Sequence, residues 1–334
     1  MTHYQALRVT QQSPDDFHCE VARLPLGELG SEGVLIKVYY SCLNYKDALS
    51  AAGNPGVTRT FPHTPGIDAA GVVEQDPSGV FAPGQRVLIS GYDFGMNTPG
   101  GLAEYCRVPA QWVSVCPDDL SLRNAMLYGT AGLTAAMAMQ KIQKLQPEVA
   151  GRRFVVTGAS GAVGSLAVLL AAHAGYSVTA VTGKAQEFDR LTQLGASQCL
   201  PAEDLLKSSP KPLLKPEWDC GLDSLGGAAL VNVLKATAPE GAIANCGLAL
   251  GPELEGNVFP FILRGVSLLG IDSVEQPLET KRALWQSLAA VPLTAEQEAL
   301  IIREVELTQV PELLAAMLKG SGRGRVVVNL QAKG

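Results

Sequence analysis

The sequence has no Cys-x-x-Cys pair, no apolar run long enough to span a bilayer, no excess of basic charge, no internal repeat and no low-complexity tract. Seven scattered cysteines, an odd number, argue against a disulfide framework and fit a reducing compartment. The opening Met1-Thr-His-Tyr-Gln-Ala-Leu-Arg8 lacks a basic leader followed by an apolar core. No secretory signal is therefore expected, and the cytoplasm is the expected address. A formal net charge of −6 and a pI near 5.3 argue against broad binding to nucleic acid or anionic membrane, both of which need a basic face. With 334 residues, 47% hydrophobic and 17% charged, the chain can bury a large core and is expected to form two domains.

What is present is concentrated in Arg153-Phe-Val-Val-Thr-Gly-Ala-Ser-Gly-Ala-Val-Gly-Ser165, where a short apolar run breaks into glycines and then into an alanine-rich helical pattern. This reads as strand, tight turn and helix start. Gly161 and Gly164 are expected to let the backbone bend and the helix approach the strand. The N–H groups and positive helix end at Ser160, Gly161, Ala162 and Val163 suit a pyrophosphate. Ala159 stands where the first glycine of G-x-G-x-x-G would be. The helix is expected from about Ser165 to His173, and Ser177-Val-Thr-Ala-Val181 reads as the next buried parallel strand, completing a βαβ unit. A dinucleotide is the expected ligand.

An NAD site carries an Asp or Glu about 20 residues past the glycines, where it accepts hydrogen bonds from the ribose hydroxyls. Here the place reads Thr182-Gly183-Lys184, with the lysine 184 − 164 = 20 positions after the last motif glycine. A cation there attracts the 2′-phosphate of NADP, which a carboxylate would repel, so NADPH is favoured over NADH.

Before Asn124 the chain is rich in glycine and proline. It carries short β-type runs at Val34–Tyr40, Gly71–Glu74, Arg86–Ser90 and Glu104–Val108, which suggest a compact barrel-like domain. From Leu122 to about Ser273 longer helices alternate with buried strands, the pattern of a doubly wound layer, with later strands expected at Cys220–Ser224, Gly241–Asn245 and Val266–Gly270. Helices are expected at Thr280–Ala290 and Val310–Lys319, and a last strand at Gly324–Leu330. The proline-rich stretch Pro201–Trp218 is expected to be a surface loop with at most a short helix. The expected division is 1–123, 124–273 and a returning segment 274–334.

Thr157-Gly-Ala-Ser-Gly161 looks like the opening phrase of short-chain dehydrogenases, but the Tyr-x-x-x-Lys pair that they need is missing. The chain resembles the medium-chain dehydrogenase/reductase superfamily instead, on Pro65–Val73, Phe81–Val87, Gly100–Tyr105 and Gly129–Ala135. More narrowly, Ser41–Leu49, Phe61–Gly66, Val181–Lys184 and Pro260–Val266 look like the acrylyl-CoA reductase group, whose members are often labelled quinone oxidoreductases. The resemblance implies an α/β protein: a GroES-like β-barrel catalytic domain plus a Rossmann doubly wound parallel-sheet cofactor domain. Zinc members carry a Gly-His-Glu phrase, whereas here the phrase is Gly66-Ile67-Asp68, and the four-cysteine lobe is absent, so no metal is expected.

Without a Lewis acid the expected reaction moves from carbonyl reduction toward reduction of an activated C=C bond. The resemblance implies NADPH-dependent reduction of a short 2-enoyl-CoA, acryloyl-CoA to propanoyl-CoA, with hydride going to the β-carbon and a proton to the α-carbon. Alternatives are an NADPH:quinone or general enone reductase, and a non-catalytic dinucleotide-binding protein. Tyr45 is the expected active-site side chain, as acid or as a hydrogen-bonding partner of nicotinamide or substrate. Asp47 is a second catalytic candidate, although Asn44 and Asp47 also read as N-cap and third residue of a helix Tyr45–Ala51 in a capping box. The resemblance adds Leu248, Ile262, Ser273 and Asn329 as cofactor contacts. Arg59, Arg264 and Lys281 are the candidates for CoA phosphates. By analogy with superfamily dimers, strand edges at Ala242–Leu248 and Val266–Ile271 are expected to pair across a two-fold axis.

Overall fold

Alternating apolar residues in the first third of the chain and continuous apolar runs in the middle third produce two kinds of sheet. The computed structural model describes residues 2–207, 209–320 and 322–331. The chain starts with a hairpin of β1 (His3–Ser13) and β2 (Asp16–Pro25), neither of which is among the strands expected from the sequence. Then follow β3 (Val34–Cys42), α1 (Tyr45–Ala51), β4 (Asp68–Gln75), β5 (Arg86–Ser90), β6 (Tyr105–Val108), β7 (Val113–Val115) and α2 (Leu122–Leu145). In β3, Val34, Ile36 and Val38 join Val87, Ile89, Phe94 and Leu102 in one core, while Lys37 and Tyr39 stand partly exposed between them.

The second unit contains β8 (Arg153–Thr157), α3 (Ala162–His173), β9 (Ser177–Thr182), α4 (Phe188–Gln193), β10 (Gln198–Pro201), α5 (Ala202–Leu205), β11 (Trp218–Asp223), α6 (Gly227–Lys235), β12 (Thr237–Asn245), α7 (Phe259–Arg264) and β13 (Ser267–Gly270). Its sheet is parallel throughout, in the order β10-β9-β8-β11-β12-β13. That is the doubly wound order with its reversal between β8 and β11, the place where such sheets bind dinucleotides. β12 is paired on both sides and offers no edge, so of the two expected edges only β13 remains at the border of the sheet.

After β13 the chain forms α8 (Leu278–Ala289), α9 (Ala295–Ile301), β14 (Ile302–Glu306), α10 (Val310–Leu318) and β15 (Arg325–Asn329). The last strand joins the first unit's sheet, ordered β14-β15-β3-β4-β5-β7 with β6 on β3. β15 pairs with the Tyr40–Cys42 end of β3 and β6 with its Val34–Lys37 end.

The compact units are residues up to Thr130 with 273–290 and from 302 onward, and residues 131–272 with 291–301. The first crossing thus falls at Thr130/Ala131 rather than after residue 123, because Thr130 is still hydrogen-bonded to Asp68. Residues 291–301 belong to the second unit, where the Leu300 carbonyl accepts from Arg190. Among the described residues no helix is long and apolar enough to cross a membrane.

Candidate active site

In the second unit the end of β8 turns at Gly158, whose φ of +61° is a left-handed value and whose Cβ would stand 2.3 Å from Ser224 Oγ. At Gly164 a Cβ would lie 2.3 Å from the Gly158 carbonyl oxygen, so this glycine permits the close approach of α3 to the strand. Gly161 differs from the expectation: its φ is −77° and a Cβ there would meet only the Gly158 oxygen at 3.3 Å. The bend belongs to Gly158, one residue before the motif as read from the sequence. Gly161, Ala162 and Val163 are partly exposed at the start of α3 and Ser160 is buried. The first-turn N–H groups of such a helix have no intrahelical partner and suit an anion.

The end of β9 is tied to this loop. Ser160 Oγ and Thr182 Oγ1 are 2.8 Å apart, and the Lys184 N–H donates to Thr182 Oγ1 at 3.2 Å. The glycine loop and Thr182-Gly183-Lys184 therefore share one hydrogen-bonded cluster.

Beneath the strand ends lies a group that sequence reasoning missed. Asp223 is fully buried at the end of β11 and accepts from Thr157 Oγ1 (2.6 Å), Gly226 N (2.7 Å) and Asn245 Nδ2 (2.9 Å). Burial raises its carboxyl above the usual range, while those donors pull it back. It clamps the ends of β8, β11 and β12. Leu248 and Ile262 are 64% and 67% exposed, so both are open to a ligand or a partner.

In the first unit Tyr45 is the first residue of α1 and 56% exposed, which leaves its phenol accessible. Asp47, the second catalytic candidate, is fully buried two residues further on. Its Oδ2 accepts from the Asn44 N–H at 2.8 Å and its Oδ1 from the Ile67 N–H at 2.9 Å, with the side chain fully buried. It closes the capping box and pins the Gly66-Ile67 turn, and thereby sets where Tyr45 begins the helix. Burial pushes its carboxyl up to about 7, the Asp68 charge adds to this, and the N–H donors oppose it.

Next to Asp47 lies a buried polar cluster. Asp68 accepts from the Thr130 N–H (2.9 Å), Thr130 Oγ1 (2.8 Å) and Asn44 Nδ2 (2.8 Å), and so caps the helical segment that resumes after the Gly129 break in α2. Arg325 Nη2 lies 3.8 Å from Asp68 Oδ2 and 2.5 Å from Cys42 Sγ. The guanidinium also donates to the Leu43 and Leu127 carbonyls and to Asn44 Oδ1. At Gly129 (φ +50°) a Cβ would collide with Arg325 Nη2, Cys42 Sγ and Asp68 Oδ2 at 2.4, 2.7 and 2.8 Å. The one sequence signal for this cluster is an arginine heading the valine run of the last strand.

These residues do not fit a zinc ion. Ile67 supplies no ligand, and the Arg325 guanidinium donates to the Cys42 sulfur and occupies its flank. His63 is buried, with Nε2 3.1 Å from the Gly95 oxygen. Among the described residues no group of three His, Cys, Asp or Glu could hold a metal.

The remaining candidates fall differently. Ser273 is buried at the return of the chain to the first unit. Asn329 donates to Glu304 Oε1 at 3.0 Å and accepts from the Gln331 N–H at 3.0 Å, so both ends of its amide are engaged. Of the CoA phosphate candidates, only Arg59 is exposed. Arg264 donates to the carbonyls of Leu214, Lys235 and Thr237. Lys281 is buried, donates to the Ser90 and Val274 carbonyls at 2.7 Å and lies 3.2 Å from the Tyr92 ring centroid. Both serve the interior and are withdrawn as phosphate contacts.

A parallel six-stranded dinucleotide unit with a barrel-type sheet unit is the build of an alcohol dehydrogenase-like oxidoreductase. Two family descriptions match the chain: an alcohol dehydrogenase GroES-like domain over residues 30–136 and a zinc-binding dehydrogenase over 162–290. The chain belongs to the medium-chain dehydrogenase/reductase superfamily. It is 40% identical over 331 residues to a Bacillus subtilis protein named "Putative quinone oxidoreductase YhfP", covering 98% of this chain and 99% of that one. It is likewise 40% identical to the acrylyl-CoA reductase AcuI of Ruegeria pomeroyi, over 92% of each chain. Among solved structures it resembles the Salmonella enterica yhdH oxidoreductase in complex with NADP, with a TM-score of 0.93 and 37% identity over 98% of this chain and 100% of that one. It also resembles B. subtilis yhfP with NAD bound, with a TM-score of 0.94 and 40% identity over 99% of this chain and 100% of that one.

Proposed function

We propose that the chain is an NADPH-dependent reductase of the C=C bond of a short 2-enoyl-CoA, converting acryloyl-CoA to propanoyl-CoA. The observation that carries the substrate class is the 40% identity to the acrylyl-CoA reductase AcuI over 92% of each chain. The cofactor is supported by the chain's own residues, since Lys184 and no carboxylate follows β9, and by the NADP of the S. enterica yhdH structure. The NAD of the yhfP structure makes NADH the comparison to run.

When bound, NADPH supplies the hydride for the β-carbon of the enoyl thioester. The first turn of α3 and the loop Ser160–Val163 receive the pyrophosphate, and Lys184 the 2′-phosphate. Leu248, Ile262, Ser273 and Asn329 are proposed to line the cofactor. Tyr45 is an accessible hydrogen-bonding group of the first unit, and its phenol stabilises charge developing on the thioester oxygen or delivers a proton to the α-carbon. Asp47 and Asn44 hold the helix start from which Tyr45 projects. Two chains are proposed to associate through the β13 edge and the exposed Leu250, Leu254, Val258, Phe259 and Leu263, which a monomeric mass by light scattering would refute.

A second reading, reduction of a quinone or simple enone, is favoured by the name of the YhfP relative, which is as similar as AcuI. The two separate on specificity constants in metal-free buffer, with acryloyl-CoA or a benzoquinone as acceptor and NADPH or NADH as donor. A high constant confined to NADPH with acryloyl-CoA is expected. Faster turnover of the quinone overturns the CoA assignment.

A further inference from the structure

The second unit contains a buried arginine that neither the glycine motif nor Lys184 accounts for. Arg190 on α4 is 4% exposed and every N–H of its guanidinium meets an acceptor. Nε donates to Glu187 Oε2 at 2.5 Å, Nη1 to Ser165 Oγ and the Leu300 carbonyl at 3.2 Å, and Nη2 to the Ser160 carbonyl at 3.1 Å and to Ser165 Oγ at 3.2 Å. Ser165 Oγ in turn donates to the carbonyls of Gly161 (2.7 Å) and Ala159 (3.2 Å). Three successive carbonyls of the loop, 159 to 161, are thus held from the inside. A loop that receives an anion must turn its carbonyl oxygens away from the ligand and leave its N–H groups toward it, and Arg190 with Ser165 imposes that orientation.

Arg190 also closes a circuit. Its partner Glu187 donates its N–H to the Lys184 carbonyl at 2.9 Å, and the Lys184 N–H donates to Thr182 Oγ1. Thr182 Oγ1 meets Ser160 Oγ at 2.8 Å, which returns the path to the residue whose carbonyl Arg190 holds. We propose that Arg190 is a positioning residue for the dinucleotide: it fixes the peptide planes of the phosphate loop and sets the separation between that loop and Lys184. The proposal rests on the NADPH reading given above. An arginine suits the place because its rigid fork directs five N–H donors to four acceptors at once, which the three donors of a lysine on one atom do not, and because Glu187 cancels its charge in the interior.

The test uses the full-length protein, with NADPH dissociation constants from nucleotide fluorescence in the absence of substrate, steady-state constants and melting temperatures. Arg190→Lys is expected to raise the Kd and KM for NADPH about tenfold, to leave the KM for acryloyl-CoA within about twofold, and to lower the preference for NADPH over NADH. Because Arg190→Met alone leaves Glu187 buried without its cation, the companion variant is Arg190→Met with Glu187→Gln, which removes both charges. That double variant is expected to melt near the wild type and still bind NADPH weakly. Wild-type affinity for NADPH in a double variant of wild-type stability overturns the proposal. Equal wild-type affinity for NADPH and NADH overturns the cofactor reading, and with it the Lys184 arm of the circuit. Failure of acryloyl-CoA as a substrate shows only in the rates, so the effect of Arg190 on Kd is judged independently of it.

Discussion

Arg325 in the first unit and Arg190 in the second are both buried arginines, yet their surroundings differ. Arg190 lies 2.5 Å from the Glu187 carboxylate, and apart from Leu300 its partners fall between residues 160 and 187. For Arg325 the carboxylate of Asp68 is 3.8 Å away, and its donors go to Leu43, Asn44, Leu127 and the sulfur of Cys42. The second guanidinium shapes one local loop. The first joins the last strand, the segment after β3, and the break in α2, pieces separated by up to 283 positions. Loss of Arg325 should therefore be felt as stability, and loss of Arg190 as cofactor affinity.

The largest expected effect sharpens this contrast. Arg325→Met leaves the Asp68 carboxyl buried without its cation and strips several carbonyls of their donors, a loss of about 3–5 kcal/mol. Urea unfolding measures it, and a cost below about 1 kcal/mol would place Arg325 in the same class as a surface ion pair. Next comes Asp47. Its folded-state pKa of about 7 lies above the ordinary 3.8, so in that window the folded protein keeps a proton that the unfolded chain has lost. The contribution is fully present below about pH 4 and is lost as the pH rises toward 7. Asp47→Asn should flatten the slope across that window in unfolding experiments run at stepped pH. An unchanged slope assigns the pH dependence to other groups.

In the second unit the comparison rests on glycines. Gly164→Ala forces a Cβ to within 2.3 Å of backbone and is expected to cost about 1–3 kcal/mol, whereas Gly161→Ala meets one oxygen at 3.3 Å and should leave the melting temperature nearly unchanged while weakening NADPH binding. Equal thermal losses would contradict the division between a packing glycine and a ligand-facing one. The smallest effect on stability is expected at Tyr45. Tyr45→Phe removes one hydroxyl from an exposed ring and should fall within about 0.5 kcal/mol of the wild type, while kcat falls roughly tenfold or more. A kcat equal to the wild type removes the phenol from the chemistry.

The same contrast explains what was legible in the sequence. The βαβ segment is local: Gly164, Thr182 and Lys184 carry their meaning within some 30 residues, the strands β5 and β8 stand where hydrophobic patterning places them, and the helix α1 stands where its capping box does. The domain crossing was displaced because Thr130 belongs to the first unit through Asp68, a contact between positions 62 residues apart that no periodicity reports. For the same reason only the fold reveals that the second oxygen of Asp47 accepts from the Ile67 N–H, 20 positions away. Lys281 and Arg264 read as surface cations because long basic side chains are seldom buried, and here carbonyls and an aromatic ring receive them. Arg190 carried no motif at all, and its position under the phosphate loop emerges only from helix α4 folding back on Ser160.

The central claim, hydride delivery from NADPH to the β-carbon of an enoyl-CoA, is tested most directly by tracing the label. Turnover of acryloyl-CoA with 4-deuterated NADPH, followed by NMR of the product, is predicted to give propanoyl-CoA with deuterium at C3 and a solvent-derived proton at C2. Deuterium at C2, or no labelled propanoyl-CoA while a quinone is reduced at the expense of the same NADPH, would contradict it.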